Sequence, residues 1–228
     1  MNTYRPFLTK GQALIEYALI PVMVILIVIL GLNAFGIEIS TIFNSVLCGF
    51  SGANNCAGYF ADEFNDLEAW NIVRGKWDIE DGKLCGGPGE GRIFTDLANR
   101  DYVINIQDAT LFKGNGYGIY FRTTNSEKVD GYNFQYDPGY GKGSFVIRKW
   151  FKGRELQPIA IAKAPDFDWY NQEHDLKIVV DGNTFTAFIN DEQVLQAVDD
   201  TYNEGGVGFR TWDGTTACFE NISVDPPR

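Results

Sequence analysis

The 228-residue sequence holds a single histidine, His174, and only 19 Lys and Arg side chains against 30 Asp and Glu. One imidazole excludes any His-rich metal cluster. A body with a net charge of −11 is expected to repel nucleic acid and anionic lipid rather than bind them. The shortage of base deepens past residue 11: Arg5 and Lys10 stand in the first eleven residues with no acid among them, which leaves 17 basic against 30 acidic side chains. Catalytic motifs are scarce as well. His174 lies between Glu173 and Asp175, but no serine or cysteine motif accompanies it, and it reads as the start of a strand. The stretch GYGKG, Gly139 to Gly143, lacks the spacing and the following helix of a phosphate loop and reads as a hairpin loop. No loop of regularly spaced acids such as an EF-hand occurs.

What is present divides sharply. The first fifty residues are aliphatic; the remainder is rich in Gly, Asp, Asn and aromatics. Ala13 to Leu32 is a 20-residue apolar run, which as a helix rises about 30 Å and spans a bilayer. It exceeds the length of a signal-peptide core, and no small-x-small cleavage site stands directly behind it. An ordinary signal anchor remains open until Glu16 is considered. A lone acid in hydrocarbon costs roughly 2.5–3.5 kcal/mol and calls for a partner. A chain cut after Gly11 carries a new α-amino group on Gln12. In an assembly of parallel helices that amine can meet Glu16 of a neighbouring copy, so that both charges are paired.

The run Lys10-Gly11-Gln12-Ala13-Leu14-Ile15-Glu16-Tyr17 resembles the processing site of type IV pilins, and its Glu16-Tyr17 pair is similar to the Tad/Flp branch. The resemblance implies cleavage by a prepilin peptidase between Gly11 and Gln12. It also implies subunit docking through Glu16, assembly into a homo-oligomeric helical filament with pilus machinery, passage through the inner membrane as a precursor, and display outside the cell. Pro21 permits a kink in the helix. Phe35, Ile39, Ile42, Phe43 and Val46 recur at helical intervals, so that 13–47 forms a rod about 50 Å long.

Export makes disulfides the expected state of the four cysteines. Three pairings are formally open; we favour Cys48 with Cys56, tying a neck, and Cys85 with Cys218, joining an early strand to the last. From Tyr59 onward, short alternating runs are divided by turn signals such as Asp81-Gly82, Asp181-Gly182-Asn183, Asn190-Asp191 and Asp213-Gly214. These predict an antiparallel sandwich or jelly roll. The expected chain is thus α+β: a leader (1–11), a transmembrane and filament-core helix (12–47), a disulfide-tied neck (48–58) and an all-β head (59–228). The stretches Trp70 to Leu84, Gly205 to Trp212 and Ala217 to Val224 resemble concanavalin A-like lectin/glucanase domains of the LamG-like kind. They are similar in style to carbohydrate-binding modules and to domains of the 3-keto-glycoside hydrolase type. The resemblance leaves calcium as an option and implies no other cofactor.

Alternation separates core from surface in each strand. The set opposite the apolar one comprises Tyr120, Arg122, Asn133, Gln135, Asp137, Arg148, Trp150, Arg210 and Trp212, with Lys149 an exception on the apolar side. Aromatic rings beside fixed donors and acceptors suit the C–H faces and hydroxyl edges of a sugar, so these nine are the candidate glycan-binding residues. Asp62, Glu63, Glu80, Asp81, Glu173 and Asp175 stand near aromatics, but none forms the closely spaced acidic strand motif of a glycosidase. The expectation is a pilus subunit and no enzyme. A minor pilin, an adhesin subunit or a membrane-tethered glycan-acting enzyme is the alternative.

Overall fold

The computed structural model describes residues 58–227, which lie within one compact unit. Gly11, Gln12, Glu16 and Tyr17, the expected helix and the Cys48–Cys56 bridge lie outside the described residues. Within them the regular elements are all strands, paired antiparallel in two sheets.

The first sheet runs β13 (Glu192–Val198), β12 (Thr184–Ile189), β11 (Glu173–Asp181), β6 (Tyr102–Lys113), β15 (Thr216–Phe219), β4 (Lys83–Gly86) and β3 (Trp77–Glu80). β16 (Asn221–Asp225) pairs with the other half of β6 and carries β1 (Phe60–Asp62) on its far side. The second sheet runs β10 (Arg154–Lys163), β9 (Ser144–Phe151), β8 (Gly131–Asp137), β7 (Tyr117–Thr123), β14 (Gly206–Thr211), β5 (Gly91–Thr95) and β2 (Asn71–Arg74).

Turn chemistry fixes the hairpins. Asp81 and Gly82 between β3 and β4 have φ of 51° and 77°, and Asn190 and Asp191 between β12 and β13 have 49° and 64°. Two successive positive φ values match the right-handed twist of the flanking strands, and Asn, Asp and Gly reach them at least cost. His174 does open a strand, β11. It packs against Phe167 with ring centroids 5.0 Å apart, and its Nδ1 meets Asn190 Nδ2 at 3.1 Å.

The apolar sets predicted by alternation meet between the sheets. Tyr117, Ile119 and Phe121 of β7 and Tyr132, Phe134 and Tyr136 of β8 are buried with Ile104, Ile178 and Phe185 of the facing sheet. Lys149 is the anticipated exception: its ammonium donates to Asp199 Oδ2 at 2.8 Å, and Tyr132 Oη donates to Asp199 Oδ1 at 2.7 Å. Cys85 and Cys218 form the expected disulfide, joining register partners on β4 and β15. The chain enters and leaves side by side, for Tyr59 N–H donates to Val224 O at 2.6 Å.

Candidate functional site

The outer face of the second sheet, turned away from the inter-sheet core, carries its own side-chain layer. Strand register places Arg92, Arg210, Gly118, Gln135 and Val146 in one row across β5, β14, β7, β8 and β9. The adjacent row is Phe94, Gly208, Tyr120, Asn133 and Arg148. Period-two alternation sends all of these to one side.

Part of this layer is a second core. Phe94, Tyr120, Val129 and Trp150 are buried together, with Val73 packed against them. Tyr120 meets Phe94 at 5.1 Å and Trp150 edge-on at 5.7 Å. The Arg92 and Arg210 guanidiniums lie over the Trp150 ring at 4.8 and 4.6 Å. The expectation that Tyr120 and Trp150 offer rings to a ligand is therefore corrected: both face the predicted side, but they are 0% and 2% exposed, Tyr120 packed by Phe94 and Trp150, and Trp150 covered by the two arginines. Burial also pushes the Tyr120 hydroxyl well above the usual phenol range.

Beside this core opens a cleft of about 470 Å³, lined by Gln135, Asp137, Arg148, Arg210 and Trp212 together with Glu155. Five of the nine predicted residues thus share one cavity. Glu155, on β10, is its hub. Its carboxylate meets Arg148 Nε at 3.0 Å through Oε1 and Arg210 Nη1 at 3.2 Å through Oε2, and Oε1 also accepts from Gln135 Nε2. Arg148 Nε donates in addition to Gln135 Oε1 at 2.8 Å. Arg210 stacks on Trp212 at 4.7 Å, and Arg148 on Tyr140 at 4.9 Å. Two guanidiniums fixed by one carboxylate and by flat rings have little freedom left, so their remaining N–H groups point in set directions.

Asp137 ends β8 at the start of the hairpin loop, where its Oδ1 accepts the Tyr140 N–H at 2.8 Å. Burial pushes its carboxyl up to about 6, against the opposing pull of that N–H and of Arg148. Glu90 and Asp213 add acidic groups at the cleft wall.

Arg122 does not belong to this face. β7 carries a bulge against β14, where Gly206 pairs with Thr123 but Gly208 with Tyr120, and Arg122 has φ of 45°. The extra residue turns its side chain toward the first sheet, where it lies 5.4 Å from the Phe185 ring and donates to Arg100 O and Tyr202 O. Asn133 is on the face but 0% exposed, and it does not line the cleft.

Glu155, Glu90 and Asp213 are the acidic lining groups that alternation missed, along with Leu156 and Gln157. For Glu155 the cause is visible in β10: its register against β9 shifts on either side of Pro158, so no clean period-two signal survives. Of the candidate acids, Asp62 is structural, its Oδ2 accepting from Trp70 Nε1 and its Oδ1 from Phe64 N–H. Among the described residues no group of three or more His, Cys, Asp and Glu side chains is gathered as a metal would need.

Two antiparallel sheets packed face to face in this strand order define a concanavalin A-like sandwich, a fold also found in a β-glucanase of Bacillus licheniformis. That structure superposes with a TM-score of 0.56 at 11% identity over 75% of this chain and 99% of its own, a likeness of fold. Residues 60–225 match the family described as the 3-keto-alpha-glucoside-1,2-lyase-like domain, and the chain belongs to that family. It is 28% identical over 165 residues to the levanase of Bacillus subtilis (strain 168), covering 71% of this chain but 23% of the levanase. It is also similar to the carbohydrate-binding module CBM66 from Bacillus subtilis, with a TM-score of 0.61 and 26% identity over 69% of this chain and 95% of the module.

Proposed function

We propose that the head is a carbohydrate-binding module displayed on a Tad-like pilus subunit, and that the cleft around Glu155 takes the sugar. The observation that carries the binding half is the polar lattice of Glu155, Gln135, Arg148 and Arg210 beside the Trp212 ring. Fixed N–H donors and carboxylate acceptors recognise hydroxyls, and an indole next to them covers a sugar's C–H face. The likeness to CBM66, which extends over nearly all of that module, supports the same reading. The relation to a levanase makes levan the first polysaccharide to try. The pilin half rests on Lys10 to Tyr17 and on the apolar run behind them.

The test is binding of the full chain in detergent to a glycan array that includes levan, beside Arg148→Ala and Arg210→Ala. Each truncation is expected to weaken binding by roughly a hundredfold, because it also strips Glu155 of a partner. Equal binding by both variants removes the cleft from consideration.

A membrane-tethered glycan-acting enzyme is the second reading, and one observation favours it. Asp137 stands in the same cleft as Glu155 with its carboxyl raised toward neutrality, as a general acid requires. Release of reducing sugar from levan or another bound glycan, abolished in Asp137→Asn, decides for the enzyme; intact glycan after prolonged incubation decides for the binding module.

A further inference from the structure

Seven buried side chains among the described residues have a nitrogen or oxygen with no hydrogen-bond partner in the protein. Two of them, Trp77 and Tyr117, belong to the inter-sheet core. The other five are Arg92, Tyr120, Asn133, Trp150 and Arg210, all on the outer face of the second sheet. Unpaired buried polar atoms cost roughly 1–3 kcal/mol each, so a cluster of them on one face demands an explanation.

Asn133 is the extreme case. Its side chain is 0% exposed, and both amide atoms, Oδ1 and Nδ2, lack a partner. Its position is well defined. Across the ladder it faces Tyr120 on one side and Arg148 on the other. Its amide leans over Gly118, where an added Cβ would lie 2.5 Å from Oδ1 and 2.6 Å from Nδ2. Gly118 in turn sits between Arg210 and Gln135, both of which line the cleft. The missing side chain at Gly118 therefore leaves a space between these two lining residues, and the Asn133 amide occupies it. A primary amide there offers a donor and an acceptor together, the complement of a hydroxyl, which both gives and receives.

Building on the reading of the cleft as a sugar site, we propose that the Asn133 amide is a subsite for one hydroxylic oxygen, a water in the free protein or a hydroxyl of the bound sugar, and that this oxygen contributes to sugar affinity. Gly118 is the positioning residue that gives the amide its place. The neighbouring polar lattice, in which Glu155 joins Gln135, Arg148 and Arg210, is the layer through which the oxygen acts on the ligand.

Crystal structures of the full chain, free and soaked with levan fragments, at a resolution that shows waters, test the placement. An oxygen bonded to both amide atoms is expected in the free protein. If it persists in the complex the source is water, and if a sugar hydroxyl replaces it the source is the ligand. No oxygen at the amide in either state overturns the proposal. Asn133→Leu tests the contribution. Since the amide forms no bond within the protein, the variant is expected to keep its fold and melting temperature while levan affinity falls roughly tenfold. Unchanged affinity overturns the coupling to the ligand, and a large loss of melting temperature shows a structural role instead. Gly118→Ala, which displaces the amide without deleting it, is expected to weaken binding similarly. Wild-type protein that ignores levan fails the functional reading alone, and the free structure then decides the amide site.

Discussion

Asp137 and Asp199 are two aspartates whose surroundings push them in opposite directions. Asp137 is raised from 3.8 to about 6, chiefly by burial. At Asp199 burial also opposes the charge, but Lys149, Thr201 and Tyr132 outweigh it and hold the carboxyl down at about 2. A raised carboxyl contributes stability that is full below about pH 4 and is lost as pH climbs through about 6; a lowered one contributes above about pH 4 and is lost as pH falls through about 2. Chemical denaturation from pH 2 to 7 should show both windows. Asp137→Asn is expected to flatten the profile between pH 4 and 6. Asp199→Asn is expected to flatten it below pH 4 and to cost about 1 kcal/mol at neutrality, through its lost bonds to Lys149 and Tyr132. A pH profile of Asp137→Asn that matches the wild type would show that burial does not perturb this group. The same scale shows what alternation reads well and badly. Gln135, Asp137, Arg148, Arg210 and Trp212 reach one cavity as strand parity says they should. Parity is blind to depth, so it could not tell that Trp150, flanked on the same face by long arginines, would be roofed over.

At the scale of elements, local backbone chemistry is what escapes a strict period of two. One bulge in β7 carries Arg122 to the other side of its sheet, and the irregular register of β10 hides Glu155. The hairpins, in contrast, are written in Asp-Gly and Asn-Asp pairs that admit few other conformations. The Cys85–Cys218 pairing was favoured on the expectation of export and on the placing of one cysteine early and one late. It links strands 133 residues apart in the chain. Closing so long a loop restricts the unfolded chain strongly, so the paired Cys85→Ser and Cys218→Ser replacement is expected to lower unfolding free energy by about 2–5 kcal/mol. Urea denaturation with and without reductant measures this; identical midpoints would show that the bridge adds nothing.

For the whole molecule, the class of fold followed from the dense turn signals and the absence of helical period after Tyr59, while the cleft needed the folding of distant strands to become visible. The proposed division of labour makes the N-terminal region responsible for polymerisation and the sandwich for recognition. Mass spectrometry of surface filaments is expected to find this chain beginning at Gln12, and Glu16→Ala to abolish most filament yield while leaving secreted or membrane-held protein with a folded head. Full-length chains still bearing Met1, found only in membranes, would count for the tethered enzyme.

β1 is three residues long, sits at the margin of the first sheet and is laced to the final strand. The cleft belongs to the opposite sheet. On the proposed function, tension between residue 58 and a sugar in the cleft would cross both sheets, with the short first strand first in line. Pulling the head between residue 58 and an immobilised sugar in a force-spectroscopy experiment is expected to peel that strand first, registered as an extension of a few residues before the sandwich held by the Cys85–Cys218 bridge gives way.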